Sequence, residues 1–256
     1  MLTDKVILVM GGTSGIGLSA VGAIVRSGGR AVVVGPAESD WGPVMELPQE
    51  SVVCVVGDAR EPNTASLAID TACARFGHLD GLYHVAGGSG RKLGDGPLHE
   101  LTDAGWEGTI GWNLTSVMIS NRAVVRYWID STRGGAIVNV GSVLATHPSP
   151  SHFATHAYAA AKSALIGLTR STASYYASRG IRVNLIAPGL IATPMSARAQ
   201  RDETIQDYVR EKQPLSGGMG LPSDLDGAVV YLLSDASRLV TGQVLDIDGG
   251  WSVTTS

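Results

Sequence analysis

Short, continuous runs of apolar residues alternate with segments of helical periodicity along most of the chain. The apolar runs are Val6–Met10, Ala31–Val34, Val52–Val56, Leu79–Val85, Ala136–Val140, Ile181–Ile186 and Val244–Ile247. The helical segments are Ile16–Ser27, Asn63–Arg75, Ala104–Asp130, His156–Ser178 and Ser223–Leu233. Strands that are apolar on both faces are typical of a parallel sheet covered by helices on each side. The alternation predicts a single α/β domain over residues 1–256, with a doubly wound parallel sheet of about seven strands and helices on both faces.

The charge and hydropathy patterns restrict the partners of this chain. Its formal net charge is −4, and no run is rich in lysine and arginine, so nucleic-acid binding has no electrostatic basis. No apolar run approaches the roughly 18 residues that span a bilayer. A strand pattern already begins by Lys5, which leads us to expect no secretory leader. We therefore expect no nucleic-acid partner, no membrane partner and a cytoplasmic location.

A glycine-rich turn separates the first apolar run from the first helical segment. Residues 11–17 read Gly-Gly-Thr-Ser-Gly-Ile-Gly. Glycines let the backbone approach a pyrophosphate closely, and free N–H groups at a helix N-terminus stabilise its charge. The turn therefore predicts a Rossmann-like dinucleotide site, with a purely structural turn as the alternative. The predicted contacts are Gly11, Thr13, Ser14, Gly15, Ile16 and Gly17.

Asp58 closes the third apolar run and has two possible roles. Its carboxylate can accept a hydrogen bond from an adenine amine, or it can cap the N-terminus of the helix that follows. The sequence leaves both roles open.

Tyr158 and Lys162 are four residues apart in a helical segment, so their side chains share one face. A neighbouring ammonium favours phenolate and is expected to lower the tyrosine pKa from about 10, which suits acid–base chemistry. Alone, the pair is also compatible with an incidental surface contact. Two other residues point to a site: Ser142 follows the fifth apolar run, and Asn113 is an amide that needs a partner inside an apolar helix.

In their order along the chain, these residues resemble the short-chain dehydrogenase/reductase family in its form of roughly 250 residues. The matching features are the glycine turn, Asp58, Ala86-Gly87, Asn113, Ser142, Tyr158, Lys162 and the segment Pro188–Thr193. The resemblance implies an enzyme that transfers a hydride between a nicotinamide cofactor and a secondary alcohol or ketone of a small molecule. It also implies a homotetramer.

The resemblance further implies a role for each member of a catalytic tetrad. Tyr158 would exchange a proton with the substrate oxygen, and Ser142 would orient that oxygen. Lys162 would lower the tyrosine pKa and bind the nicotinamide ribose, and Asn113 would anchor a water chain behind the lysine. The implied cofactor contacts beyond the glycine turn are Gly35, Asp58, Ala59, Ala86, Gly87, Tyr158, Lys162, Pro188, Gly189, Ile191 and Thr193; Ile191 and Thr193 would hold the carboxamide.

The chain departs from the family pattern where the cofactor is selected. The second strand ends in Gly35-Pro36, with neither an acid nor an arginine. No Lys or Arg lies between Ala31 and Ala59, whereas Glu38 and Asp40 would repel a 2′-phosphate. We therefore expect NAD rather than NADP. A second departure is His84-Val85 in place of two asparagines, so that a contact bridging the sheet is lost or replaced.

Other functions fit the sequence less well. A non-catalytic nucleotide-binding sensor or scaffold has no need of Tyr158 and Lys162 together, and an epimerase or dehydratase of the longer related type requires a larger C-terminal region. His147, His152 and His156 lack a nearby carboxylate, and we expect no metal site.

Substrate specificity is expected in two loops beyond the strand ends. One is Leu144–Thr155, and the other is Leu190–Pro214, long enough to close over the site. Their candidate specificity residues are His147, His152, Phe153, Met195, Arg198 and Tyr208.

Overall fold

The computed structural model describes residues 1–254, and a single sheet of seven parallel strands forms the centre of this part of the chain. The strands are β1 (Val6–Met10), β2 (Arg30–Gly35), β3 (Val52–Val56), β4 (Gly81–His84), β5 (Gly135–Val140), β6 (Ile181–Pro188) and β7 (Val244–Ile247). Their order across the sheet is β3-β2-β1-β4-β5-β6-β7. The predicted Rossmann-like doubly wound sheet is confirmed. The last two residues of the predicted domain lie outside the described residues.

Helices cover both faces of this sheet. They are α1 (Gly15–Arg26), α2 (Gly42–Met45), α3 (Pro62–Phe76), α4 (Asp103–Ile110), α5 (Ser116–Asp130), α6 (His156–Tyr176), α7 (Ala197–Arg201), α8 (Glu203–Lys212) and α9 (Asp226–Leu233). Helices α1 and α9 bury apolar residues on one face, and α3, α5 and α6 do so on the other. Within residues 1–254, no helix has both the length and the apolar character needed to cross a membrane.

The runs of valine, isoleucine and leucine form strands because helices bury both of their faces. In β1, every side chain is buried, and alternate residues belong to the two separate apolar clusters on either side of the sheet. Such a strand has no polar face, which explains why its sequence shows no alternation.

The order of strands reverses direction between β1 and β4, because the chain moves outward first through β2 and β3 and then through β5, β6 and β7. The loops that follow β1 and β4 therefore separate at the carboxyl edge of the sheet and leave a crevice there. The crevice lies next to the predicted glycine turn.

The segment predicted as one long helix, Ala104–Asp130, is interrupted. A π-helical turn at Gly111–Thr115 separates α4 from α5. The side-chain amide of Asn113 donates to Thr109 O, one turn earlier, at 3.0 Å, and so takes a carbonyl that the regular helical ladder would use. A hydropathy pattern does not record such a local insertion.

Candidate active site

A cavity of about 740 Å³ opens at the carboxyl edge of the sheet. Its wall comes from the segments that follow β1 to β6, together with Trp251 near the end of the described chain. This volume lies in the range of small-molecule and cofactor sites.

The glycine turn forms one side of this cavity and is packed too tightly for larger residues. Gly11 has a φ of +91°, and a Cβ there would lie 2.7 Å from the backbone nitrogen of Ala86. A Cβ on Gly17 would lie 2.0 Å from Gly11 O. The turn therefore places the loop after β4 and the first turn of α1 against each other. This exposes backbone at the start of α1 to the cavity, as a pyrophosphate would require.

Two acidic residues line the cavity, Glu38 and Asp58, and both lie at the end beyond the glycine turn. The carboxylate of Asp58 accepts hydrogen bonds from the backbone nitrogen and guanidinium of Arg60, and the bond to this guanidinium lowers the pKa of Asp58. Asp58 does not cap the next helix, because the residue at the N-cap of α3 is Glu61. The capping alternative is therefore wrong, and Asp58 lines the cavity instead.

Asn113 is fully buried, and its side-chain amide both donates and accepts hydrogen bonds. It donates to Gly88 O at 2.8 Å and accepts from the backbone nitrogen of Gly88 at 3.2 Å. The amide thus joins the π-helical turn to the loop after β4. A Cβ on Gly87 would lie 2.6 Å from Asn113 Oδ1 and 3.7 Å from Lys162 Nζ, so a glycine at this position lets both side chains approach the loop.

Ser142, Tyr158 and Lys162 line the same part of the cavity. Ser142 follows β5, and its side chain is near enough to Tyr158 to act on the pKa of that phenol. Lys162 Nζ donates to Val140 O at 2.8 Å and lies 5.6 Å from the centre of the Tyr158 ring. The three side chains therefore meet at the end of β5, as the sequence predicted.

The predicted lowering of the Tyr158 pKa is wrong for this structure. Burial raises the pKa of Tyr158, and the hydrogen bond from Ser142 only partly opposes that effect. Lys162 does not offset the burial, because its own charge is disfavoured there: burial lowers the pKa of Lys162 to about 8. Both side chains thus tend towards their uncharged forms.

His84, which departs from the family pattern, replaces the expected contact with a different one. Its Nδ1 lies 2.6 Å from the hydroxyl of Ser120, and its Nε2 lies 3.4 Å from that of Ser116, both on α5. Burial lowers the pKa of His84 to about 3, and the charge of Lys162 acts in the same direction. A neutral imidazole therefore joins β4 to α5 below the site.

Asp95 is a site residue that the sequence analysis missed. It is 6% exposed, and its carboxylate accepts from the backbone nitrogens of Ala157 and Tyr158, at 3.0 and 2.9 Å. The N-cap residue of α6, Thr155, makes no such side-chain bond. Asp95 therefore caps the helix that presents Tyr158. The two positions are 63 residues apart, and no local pattern relates them.

The two predicted specificity loops both contribute to the cavity, but not with every predicted residue. Phe153, Met195 and Arg198 line it, whereas His147, His152 and Tyr208 do not. The His152 ring instead packs on Tyr208, and Tyr208 and Phe153 both contact Trp251. An aromatic cluster therefore supports this wall, and the sequence analysis missed its member Trp251.

Nearly all predicted cofactor and catalytic residues line this one cavity. Those that do are Gly11, Thr13, Ser14, Gly15, Ile16, Gly35, Asp58, Ala59, Ala86, Gly87, Asn113, Ser142, Tyr158, Lys162, Pro188, Gly189, Ile191 and Thr193. Gly17 is the exception, because it lies under Gly11 and permits the close packing described above.

Comparisons with known proteins agree with this arrangement. A family model described as enoyl-(acyl carrier protein) reductase matches residues 11–252. The cis-4-hydroxycyclohexanecarboxylate dehydrogenase of Sinomonas cyclohexanicum is 34% identical over 252 residues, which cover 97% of each chain. The 3-alpha-(or 20-beta)-hydroxysteroid dehydrogenase of Mycobacterium bovis is 35% identical, over 97% of this chain and 90% of the relative. The structure of a short-chain type dehydrogenase/reductase from Mycobacterium ulcerans superposes with a TM-score of 0.89 and 29% identity, covering 99% of this chain and 91% of that one.

Proposed function

The chain belongs to the short-chain dehydrogenase/reductase family and is a nicotinamide-dependent oxidoreductase acting on secondary alcohols, and we propose that four side chains at the end of β5 and on the neighbouring helices carry its reaction. These four are Asn113, Ser142, Tyr158 and Lys162. The observation that carries the proposal is their position in one cavity with the glycine turn.

Tyr158 is the acid–base group in this proposal. Because burial raises its pKa, the hydroxyl remains protonated at neutral pH and can donate a proton to a substrate carbonyl oxygen. Ser142 hydrogen-bonds the same oxygen and orients it. A nicotinamide dinucleotide bound along the glycine turn supplies the hydride chemistry.

Lys162 and Asn113 act behind Tyr158. The Lys162 ammonium donates to Val140 O, and it would bind the nicotinamide ribose of the cofactor and stabilise phenolate when it forms. Asn113 fixes the loop after β4 through two hydrogen bonds to Gly88. These bonds maintain the distance between Lys162 and that loop. Pro188, Gly189, Ile191 and Thr193 line the cavity and would hold the carboxamide side of the cofactor.

The cavity charge favours NAD over NADP. Arg60 is the nearest cation after the third strand, but its guanidinium is committed to Asp58. Glu38 lines the cavity beside Gly35, where the 2′-hydroxyl of an adenosine ribose would lie. A carboxylate there accepts a hydrogen bond from a hydroxyl and repels a phosphate.

The cofactor assignment predicts a change of preference in Glu38→Gln. We expect kcat/KM to be at least roughly tenfold higher with NAD⁺ than with NADP⁺ in the unmodified chain, and the ratio to fall in the variant because the repulsion is removed. Asp40→Gln is the matched control, since Asp40 does not line the cavity. A tenfold preference of the unmodified chain for NADP⁺ would contradict the assignment and point to Arg60.

Activity itself is tested with a substrate panel. Secondary alcohols, sugars, hydroxy acids and steroids are incubated with the enzyme and NAD⁺, and reduced nicotinamide is followed by absorbance. We expect turnover of at least one class. Cofactor binding with no turnover of any member would favour the non-catalytic sensor.

We also propose that the chain forms a homotetramer. Strand β7 lies at an edge of the sheet, and the exposed side chains near that edge include Leu239, Leu245 and Val253. On α6, Ile166 and Leu168 are only partly buried within one chain. Apolar residues around an open sheet edge are typical of a surface that a second copy covers.

A further inference from the structure

We propose that the substrate of this site carries an oxyanion, a carboxylate or a phosphate, which Arg91 and Arg198 bind together at the wall of the cavity. The proposal rests on the function proposed above and adds the substrate class. It predicts a hydroxy acid or a hydroxyalkyl phosphate rather than an uncharged alcohol.

Two guanidinium groups from different loops converge on one backbone carbonyl. Arg91 follows β4 and Arg198 lies in α7, and each donates from Nη2 to His152 O at 3.1 Å. Both residues line the cavity. A guanidinium has five N–H donors, so each keeps further donors for a second acceptor after this bond is made.

These two positive charges lack a carboxylate counter-ion. Within residues 1–254, neither Arg91 nor Arg198 takes part in an ion pair with Asp or Glu. Burial and then repulsion by Arg198 lower the pKa of Arg91, and Asp95 only partly opposes them. The carboxylate of Asp95 is already used by two backbone N–H groups of α6. A bound oxyanion would relieve the repulsion between the two arginines.

Apart from Arg60, which is paired with Asp58, the charges of the cavity wall are also separated along its length. The two acids of the wall, Glu38 and Asp58, lie at the proposed adenosine end. At the substrate side, the charged residues of the wall are Arg91, Lys92 and Arg198, beside the catalytic Lys162. A substrate with a negative group is therefore attracted to the side where Tyr158 lies.

Asp95 connects the turn that contains Arg91 to the start of α6, which carries Tyr158. The segment 90–95 is a tight turn in which Asp95 N donates to Gly90 O at 3.1 Å, and Asp95 holds the backbone of Tyr158. Arg91 is thus part of the same turn that fixes the start of α6. Phe153, next to His152, lines the cavity there and belongs to the aromatic cluster. The part of the substrate between its anion and its reacting carbon would therefore be apolar and would pack on this cluster.

Binding of small ring compounds to the enzyme saturated with NAD⁺ tests the proposal. The probes are cyclohexanecarboxylate, cyclohexyl phosphate and the uncharged cyclohexanecarboxamide, and dissociation constants are measured by saturation-transfer NMR titration. We expect at least one anion to bind more tightly than the amide by roughly 10- to 100-fold, as charge-assisted hydrogen bonds to arginine would give. The anion that binds more tightly identifies the group.

Three variants assign this preference to the arginine pair. Arg91→Gln and Arg198→Gln should each reduce the ratio of anion to amide affinity by roughly tenfold or more. Arg201→Gln is the control, because it removes an exposed positive charge from the same helix α7 at a residue that does not line the cavity. In this control the ratio should stay as in the unmodified chain.

Several outcomes would overturn the inference. They are equal binding of amide and anions, an equal loss in Arg201→Gln, or a weaker affinity for NAD⁺ in the Arg91 and Arg198 variants, which would assign the pair to the cofactor phosphates. Turnover of uncharged alcohols without any preference for acids would reject the oxyanion site while leaving the proposed reaction intact. Failure of the oxyanion inference is therefore distinguishable from failure of the proposed oxidoreductase reaction.

Discussion

At the scale of single residues, the site brings a phenol and an ammonium into a place where neither charge is favoured. Lys162 is 4% exposed, and its ammonium donates a hydrogen bond to a backbone carbonyl, that of Val140. Burial therefore lowers the pKa of Lys162 to about 8 and raises that of Tyr158. Lys162 therefore loses its proton nearer to neutral pH than an ordinary lysine does, whereas the Tyr158 phenol stays protonated there.

The lowered pKa of Lys162 predicts how stability depends on pH. Between about pH 8 and pH 10.5, the unfolded chain holds a proton that the folded chain has released, so the free energy of unfolding rises with pH in this window. Relative to Lys162→Met, the unmodified chain should gain roughly 2–3 kcal/mol from about pH 7 to about pH 10.5. Denaturant unfolding across this range measures the difference.

Lys92→Met serves as the comparison, since it removes an exposed ammonium. Its stability profile should run parallel to that of the unmodified chain. A constant difference between the unmodified chain and Lys162→Met at all pH values would show that Lys162 is not desolvated in the folded protein.

The sequence predicted the arrangement of the proposed catalytic residues better than their electrostatics. A spacing of four residues places Tyr158 and Lys162 on one face, and the structure has them on one face of α6. Their depth in the protein depends on the helices and loops packed around them, which a local pattern does not contain. The burial of both groups, and so the direction of the Tyr158 pKa, could not be predicted from the sequence alone.

At the scale of elements, the start of α6 depends on a residue from the loop after β4. Asp95 binds two of the backbone N–H groups that a helix leaves unpaired at its N-terminus. Tyr158 is in this first turn, so the same two bonds fix the backbone from which the phenol extends. The helix that presents Tyr158, the proposed catalytic tyrosine, is thus positioned by a residue outside its own sequence.

This arrangement predicts two effects of Asp95→Ala. The variant should lose about 1–2 kcal/mol in the free energy of unfolding, as expected for a lost helix cap, because two buried N–H groups lose their acceptor. It should also have a lower kcat with little change in cofactor affinity, since Tyr158 is less well fixed. Asp95→Asn keeps one acceptor oxygen and should be intermediate in both measurements.

Asp103→Ala is the matched control, because Asp103 is an exposed acid in the first turn of α4. Its kcat should not fall. Unfolding curves and kcat for Asp95→Ala that coincide with those of the unmodified chain would reject the positioning role of Asp95.

The elements themselves differ in how far the sequence determines them. Strands such as β1 and β2 are continuous runs buried on both faces, and their bounds agree with the predicted runs within one or two residues. The π-helical turn at Gly111–Thr115 was not predicted, because it accompanies side-chain hydrogen bonds of Asn113 to Thr109 O and to Gly88 O that a hydropathy pattern does not record. Contacts between distant segments therefore account for what the sequence analysis missed: this turn, Asp95, and the approach of Arg91 to Arg198.

At the scale of the whole molecule, the sheet is covered on both faces but open at the β7 edge. Leu245 in β7 is 40% exposed, and Leu239, which precedes β7 in the chain, is 89% exposed. An open edge with apolar neighbours favours association with another chain.

The proposed homotetramer predicts a single species of four chains in light scattering at micromolar concentration. Leu245→Glu places a charge on the β7 edge and should shift the distribution towards smaller species, because an unpaired carboxylate is costly in a buried interface. Leu98→Glu, at an exposed apolar residue away from this edge, is the control. A monomeric unmodified chain would reject the tetramer.

The central claim is that Tyr158 exchanges the proton with the substrate, and Tyr158→Phe tests it most directly. The variant keeps the ring and its packing and removes only the hydroxyl, and Tyr175→Phe makes the same change at an exposed position of the same helix. The measurement is kcat on the best substrate of the panel, together with the dissociation constant of NAD⁺. We expect kcat to fall by roughly 10²–10⁴-fold in Tyr158→Phe alone, with NAD⁺ affinity unchanged. A kcat of Tyr158→Phe close to that of the unmodified enzyme would contradict the mechanism.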